Sequence, residues 1–467
     1  MEECRNEPGP SSSRAETSLG NVIQIFEEID EDIFITEEIE VPTSPATSRQ
    51  GWFDKIKKAG SAITESIKPS SSKEGIKTRL WSSWNNFKYS GKWMSDRTRE
   101  YEADSEIVLL GSMYFIEEDD ENIGFDEFVL HYYSRIWITY RTHMKAICGT
   151  TYTTDCGWGC MIRTTQMMVA QSILVGMLGR DWRSPKLKQR MGLLSKTSEE
   201  DDQSDEILLQ ITKLFEDCPS SPLGFHRLMC LAFENIGQQA IGRWYTPSES
   251  VSLMRKAIST STSPLISDIG ILLCVDGLLS LSDVEIVSKT WTKKILIIIT
   301  VRLGTSEPNK IYMKHIQQLL KTPSCVGIVG GKPKHSLYFL GYYKEQLIYL
   351  DPHVARDYIP LPDTLTNEKQ NSPIFQFHCK YLSMTPYVDI DPSCAIGFFI
   401  QSHQEFTDMV ETLEASGVID LDVKKTESSV KQDPLFAVLL SDNPKYRFYE
   451  PASSSDNLGE DEDYVNL

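Results

Sequence analysis

The stretch Thr153-Thr154-Asp155-Cys156-Gly157-Trp158-Gly159-Cys160-Met161-Ile162-Arg163 sets two glycines and a tryptophan directly before a cysteine, and that cysteine opens an apolar run long enough for a helix. A thiolate at a helix N-terminus gains from unpaired backbone N–H groups and the helix dipole, so its pKa falls and the nucleophilic form becomes accessible near neutrality. The glycines would let the backbone approach a substrate closely, and the same N–H groups could stabilise a developing oxyanion. A lone cysteine at a helix start is more often an inert buried side chain. The nucleophile reading therefore requires a base elsewhere in the chain.

Among eight histidines, His353 stands out in Leu350-Asp351-Pro352-His353, at the end of a strand candidate over Leu347 to Leu350. Extended side chains two apart point the same way, and the proline biases Asp351 towards that conformation, so Asp351 and His353 can act together. The carboxylate would hold the imidazole in the right tautomer and stabilise its charged form, as the third member of a triad does. An ordinary Asp-Pro turn carrying a surface histidine is the more common explanation of such a tripeptide taken by itself.

Outward from these two segments, helical and strand patterns alternate. Helix candidates are Cys160 to Leu178, Gly224 to Ile236, Ser248 to Ile258, Tyr312 to Lys321 and His403 to Ala415, each with apolar residues at helical spacing. Strand candidates are Ile269 to Val275, the β-branched run Ile295 to Val301, Val326 to Val329, Leu337 to Tyr342, Leu347 to Leu350 and Ala395 to Ile400. Together they predict an α/β or α+β domain around a buried sheet. The stretch 183–206, centred on Ser198-Glu199-Glu200-Asp201-Asp202-Gln203, lacks a sustained apolar period and reads as a solvated surface loop.

At 467 residues, 40% hydrophobic and 24% charged, the chain has the composition of an ordinary soluble protein, and no apolar run reaches the length of a membrane helix. The N-terminus carries no apolar signal core, and ten scattered cysteines without a CxxC pair suit a reducing cytosol. Cys156 reads as structural. A net charge of −19 argues against a nucleic-acid partner. Residues 1–75 and 442–467 have the Ser-, Pro- and acid-rich composition of disordered flanks around a folded body spanning 76–441. Within the first flank, Ile25 to Ile35 sets apolar residues in an acidic run, as pocket-docking peptides do. Near 52–67, starting at Trp52-Phe53, apolar residues recur at helical spacing with lysines between, which suits a membrane surface or packing on the folded body.

Three motifs carry a resemblance. The Asp-x-Gly-Trp-Gly lead-in to Cys160, the segment Gly330-Gly331-Lys332-Pro333, and Tyr349-Leu350-Asp351-Pro352-His353 resemble the autophagins, the autophagy-related cysteine peptidases, from about Trp81 to about Phe436. The resemblance implies a papain-like α+β fold and cleavage of a GABARAP-type ubiquitin-like modifier after its C-terminal glycine. It also implies removal of the lipidated modifier from phosphatidylethanolamine on autophagic membranes, by a cytoplasmic enzyme that meets those membranes peripherally. Both bonds are amides, so one acyl-enzyme route serves both and no metal or organic cofactor is needed. Residue by residue, it makes Cys160 the nucleophile, His353 the base and Asp351 its orienting partner. It makes Tyr140 an oxyanion-binding hydroxyl, Trp244 the cover over the cysteine, and Gly330, Gly331, Lys332 and Pro333 a lid loop. Tyr464 and Leu467, three apart after an acidic run, resemble a modifier-binding motif. One departure is Thr246 before Pro247, where the family usually has glycine, which leaves the covering loop's conformation open. A weakly active or inactive scaffold that binds the modifier is the alternative reading.

Overall fold

An uninterrupted β-branched run needs cover on both faces of its sheet, and the run from Ile295 receives it. In the computed structural model Ile295, Ile297 and Ile299 pack on one side, Leu296 and Ile298 on the other. The structure describes residues 101–102, 105–116, 123–275, 277–332, 335–365, 373–421 and 434–440. Among these the strands in chain order are β1 (Glu106–Leu109), β2 (Ser112–Phe115), β3 (Tyr140–Thr142), β4 (Ile269–Cys274), β5 (Leu278–Ser280), β6 (Lys294–Arg302) and β7 (Cys325–Lys332). They continue with β8 (His335–Tyr343), β9 (Gln346–Leu350), β10 (Ala355–Asp357), β11 (Ser383–Pro386), β12 (Ser393–Ile400), β13 (Ile419–Leu421) and β14 (Phe436–Leu439).

The main sheet runs β11-β9-β8-β7-β12-β6-β4, and β1, with β2 beside it, also pairs with β8. Only the β4–β6 pair in this sheet is parallel, so the architecture is α+β, the papain-like class of the sequence reading. The helices Cys160–Leu178, Phe225–Ile236 and Pro247–Ser259 cover one face, and Met313–Lys321 and His403–Ala415 the other. A small parallel pair, β3 with β10, stands apart and sets Tyr140 opposite Ala355.

The Cys160–Leu178 helix is buried at every residue from Ile162 to Val175, and its polar side chains find partners there. Thr164 meets Ser336 at 2.8 Å, Thr165 meets Ser250 at 2.7 Å, and Gln166 donates to the Leu223 carbonyl at 2.9 Å. Arg163 donates through Nε to Asp155 at 2.6 Å and through Nη1 to Asp217 at 2.8 Å. Asp155 also accepts the Arg141 backbone N–H at 2.8 Å. This buried network ties β3, the loop before Cys160 and the helix itself into one unit.

Two helices, Cys160–Leu178 and His403–Ala415, have the expected bounds, and the other expected elements are present with shifted ends. The segment 183–206 differs from the surface loop expected of it. It holds the helix Pro185–Arg190, capped by Ser184, and the first half of Glu199–Lys213. Ser198 and Asp201 form a capping box there, and four acids in the first turn suit the helix dipole. Its buried apolar residues, Leu208, Leu209 and Ile211, come only after the polar stretch ends. The flanks 1–75 and 442–467, the 52–67 helix and the Ile25 to Ile35 run lie outside the described residues. Among the described residues no helix is long and apolar enough to cross a membrane.

Arg163→Met would leave two buried carboxylates without their main cation, and is expected to cost about 3–5 kcal/mol of stability in urea unfolding. A loss under about 1 kcal/mol would mean that the network does not hold these elements together.

Candidate active site

Cys160 is the first residue of its helix and is 2% exposed. Gly159 precedes it as the N-cap, without a side-chain cap bond, so the first N–H groups of the helix are left to other partners. A Cβ at Gly159 would lie 2.7 Å from Asp155 Oδ2 and 3.0 Å from Phe225 Cε2. The glycine is thus demanded by packing against the buried network, where the sequence suggested access for a substrate. Trp158 fixes the same loop, its ring edge-on to Phe225 and its Nε1 donating to the Thr154 carbonyl at 3.2 Å.

The Asp351-Pro352-His353 tripeptide leaves β9 at Leu350 and turns, instead of staying extended as expected. Asp351 Oδ1 accepts from the His353 backbone N–H at 2.9 Å and lies 2.6 Å from Nδ1. The aspartate therefore makes the turn and orients the ring at once. Trp137 Nε1 donates to the Asp351 carbonyl at 2.7 Å, and the Tyr140 N–H to the Pro352 carbonyl at 2.9 Å, pinning the turn to β3. With Nδ1 engaged by Asp351, Nε2 is the ring nitrogen left for Cys160, and the thiol lies beside the His353 ring, the Tyr140 hydroxyl and the Ser336 backbone.

Burial opposes charge on all three groups, and the pairing outweighs it. Burial alone would raise the Cys160 thiol, but the His353 hydrogen bond and charge, with the Ser336 and Tyr140 contacts, bring it below its ordinary value. Burial would lower His353, yet Asp351 and then Cys160 raise it to about 9. Burial would raise Asp351, and His353 holds it at about 2. The contacts thus shift Cys160 towards thiolate and His353 towards imidazolium, against the push of burial.

Tyr140 is buried, its ring edge-on to His353 at 5.4 Å, and burial pushes its hydroxyl far up, so it remains a donor. Trp244 is 46% exposed and donates through Nε1 to the Gly157 carbonyl at 3.0 Å, lying on the loop before Cys160. Thr246 resolves the question of the loop beyond it. It is the N-cap of Pro247–Ser259, with a backbone any residue can adopt and a capping box with Glu249. Gly330, Gly331 and Lys332 are not a loop but the end of β7, in register with Leu337, Ser336 and His335. Gly331 has φ +135°, and a Cβ there would fall 2.2 Å from the His335 carbonyl, which is why the hairpin has glycine at that point. Pro333, Tyr464 and Leu467 lie outside the described residues.

Cys156 packs beside Tyr140, Cys160 and Ala355. Three residues of the site escaped the sequence reading: Trp137, Ser336 and His335, whose ring stacks on His353. His335 and Ser336 lie two and three residues beyond the Gly330 to Pro333 motif, and that proximity was the available signal. His335, Asp351 and His353 bring one ligand atom each within 4.8 Å of one another, although Asp351 and His353 are already engaged with each other.

The Peptidase C54 catalytic domain family matches residues 125–412 of this chain. The chain is 42% identical over 442 residues to the Cysteine protease atg-4.2 of Caenorhabditis elegans, covering 88% of this chain and 84% of that protein. It is 34% identical over 376 residues to the Cysteine protease ATG4D of Xenopus laevis, covering 72% and 77%. It is 31% identical over 417 residues to the Cysteine protease ATG4C of the same frog, covering 78% and 88%. The matched region holds Cys160, His353 and Asp351 together with nearly all of the central sheet, and the chain belongs to the peptidase C54 family of cysteine proteases, the autophagins of autophagy.

Proposed function

We propose that this protease cleaves a GABARAP-type ubiquitin-like modifier after its C-terminal glycine and releases the same modifier from phosphatidylethanolamine. The observation that carries the reading is the line Asp351–His353–Cys160 at the start of a buried helix, with Tyr140 on the thiol and Trp244 lying on Gly157. The Cys160 thiolate attacks the glycine carbonyl, and the oxyanion that forms takes hydrogen bonds from the Tyr140 hydroxyl and the first N–H groups of the helix. His353 protonates the leaving amine, the peptide nitrogen of the C-terminal extension or the lipid ethanolamine nitrogen alike, and then takes a proton from the water that releases the modifier. Asp351 keeps the ring in the tautomer that presents Nε2. Trp244 narrows the approach so that a residue without a side chain passes. The catalytic body spans 76–441, and Tyr464 and Leu467 supply a second contact with the modifier. The enzyme acts in the cytoplasm and meets autophagic membranes peripherally through its lipidated substrate.

The test is cleavage of a GABARAP-type modifier carrying a C-terminal extension. Cleavage after the glycine, abolished by Cys160→Ala, is the expected result. Absence of cleavage by the intact enzyme, with modifier binding that depends on Tyr464, would favour the scaffold reading instead.

The pH profile follows from the ion pair. Cys160 is lowered and His353 is raised to about 9, so the imidazolium that draws the thiol towards its thiolate form is lost as pH rises through about 9. The rate of cleavage should fall along that limb. Asp351→Asn removes the group that raises His353, so the limb should move to lower pH while the rate drops roughly 10²-fold to 10⁴-fold. An unmoved limb would remove Asp351 from its role.

Trp244→Ala should relax the restriction at the scissile residue. The preference for glycine over alanine at that position should shrink about tenfold, read as the ratio of kcat/KM values on the two substrates. An unchanged ratio would leave Trp244 without a part in selecting glycine.

A further inference from the structure

His335 opens β8 at the tip of the β7–β8 hairpin, opposite Lys332 in the ladder, and is half-buried. Its imidazole lies flat on that of His353, with centroids 3.8 Å apart and planes 5° apart. His353 is therefore held in three independent ways. Asp351 fixes the ring's Nδ1 edge, Tyr140 meets the ring edge-on from β3, and His335 covers a face. The next residue of the same strand, Ser336, has its backbone beside Cys160 and its hydroxyl 2.8 Å from that of Thr164 on the Cys160 helix. One hairpin thus touches both members of the reacting pair.

We propose that His335 is a positioning residue for the reaction, stacking on the face of His353 to hold the ring towards Cys160 and to keep water from that face. This rests on the reading of Cys160 and His353 given above. The chemistry of the stack supports it. A neutral imidazole face attracts a cation laid over it, whereas two stacked imidazolium rings repel. The pair therefore carries one proton comfortably. Asp351 and Cys160 both face His353, so the proton resides there, with the His335 ring as the π surface against the charge. Lys332 stands opposite His335 in the ladder, which further disfavours a second cation in the stack. An aromatic ring without a titratable proton should serve as well as histidine at this position, and a small aliphatic side chain should not.

The experiment uses the full chain with His335→Ala and His335→Phe, and measures two quantities. One is kcat and KM on the extended modifier. The other is the pH dependence of iodoacetamide alkylation at Cys160, followed on the peptide that carries it. His335→Ala is expected to lower kcat about tenfold with little change in KM, and to lower the Cys160 alkylation rate at neutral pH by a similar factor. His335→Phe is expected to restore most of both. Wild-type kinetics and alkylation in His335→Ala would overturn the proposal. So would a loss that His335→Phe does not recover, since the stack would then not be the cause. Cys160→Ala in the same assay separates the two readings. Cleavage that survives Cys160→Ala defeats the nucleophile assignment, whereas cleavage abolished there but unaffected by His335→Ala defeats only the role of His335.

Discussion

The ion pair between Asp155 and Arg163 is the constraint on which the site depends. It is fully buried, and its partners belong to three parts of the chain: the Arg141 backbone on β3, the loop before Cys160, and Asp217 beyond the Glu199–Lys213 helix. Burial pushes the Asp155 carboxyl up from its ordinary value, and the Arg163 contact works against that push. Such a pair gains little stability over a well-packed apolar core, because desolvation offsets most of the attraction. What it supplies is placement. Asp155 leaves no room for a Cβ at Gly159, so the chain must enter the helix there with Cys160 as its first residue. The same carboxylate fixes the Arg141 N–H, one residue from Tyr140, so Cys160 and the neighbouring hydroxyl are set by one acceptor.

His353 reaches the site from the other direction. β9 ends at Leu350 in the main sheet, the Asp351 turn follows, and β10 then pairs with β3 so that Ala355 lies opposite Tyr140. The turn is thus anchored before and after by ladders and in its middle by Trp137 and the Tyr140 N–H. The β7–β8 hairpin closes the arrangement through Ser336 and His335. No loop carries a reacting side chain without a strand or helix end within a few residues, which is how side chains are held to the tolerance catalysis demands.

The sequence revealed those parts whose signal is local. The Cys160–Leu178 helix shows in its long apolar run, and β6 in its β-branched run covered on both faces. Asp351 and His353 were legible as a pair from their separation, although the pairing works through a turn and not an extended strand. The Glu199 helix was hidden because its acidic first turn precedes its apolar stripe, so a window over 183–206 sees only solvated residues. β1, β2, β3 and β10 are four residues or fewer, too short for a period to register. The stack of His335 on His353 had no local signal beyond its neighbourhood to Gly331, because strand pairing creates it across an interval of chain that spans β8 and β9.

Burial at Cys160 works in two opposed ways. Enclosure at 2% exposure restricts what can approach the sulfur, and by the same desolvation it penalises the thiolate. The imidazolium of His353 reverses the second effect only while its charge is held close and in line, since an ion pair in a dry site gains most from contact and loses quickly with displacement. Restricted access and reactivity therefore place the same demand on the fold: the base must be fixed from several sides without opening the site to water. Asp351 at one edge, Tyr140 across another and His335 on a face meet that demand with three different kinds of contact, one charged, one edge-on and one stacked. On the reading proposed above, relaxing any of them to widen the approach would admit water beside the imidazolium and weaken its hold on the thiol.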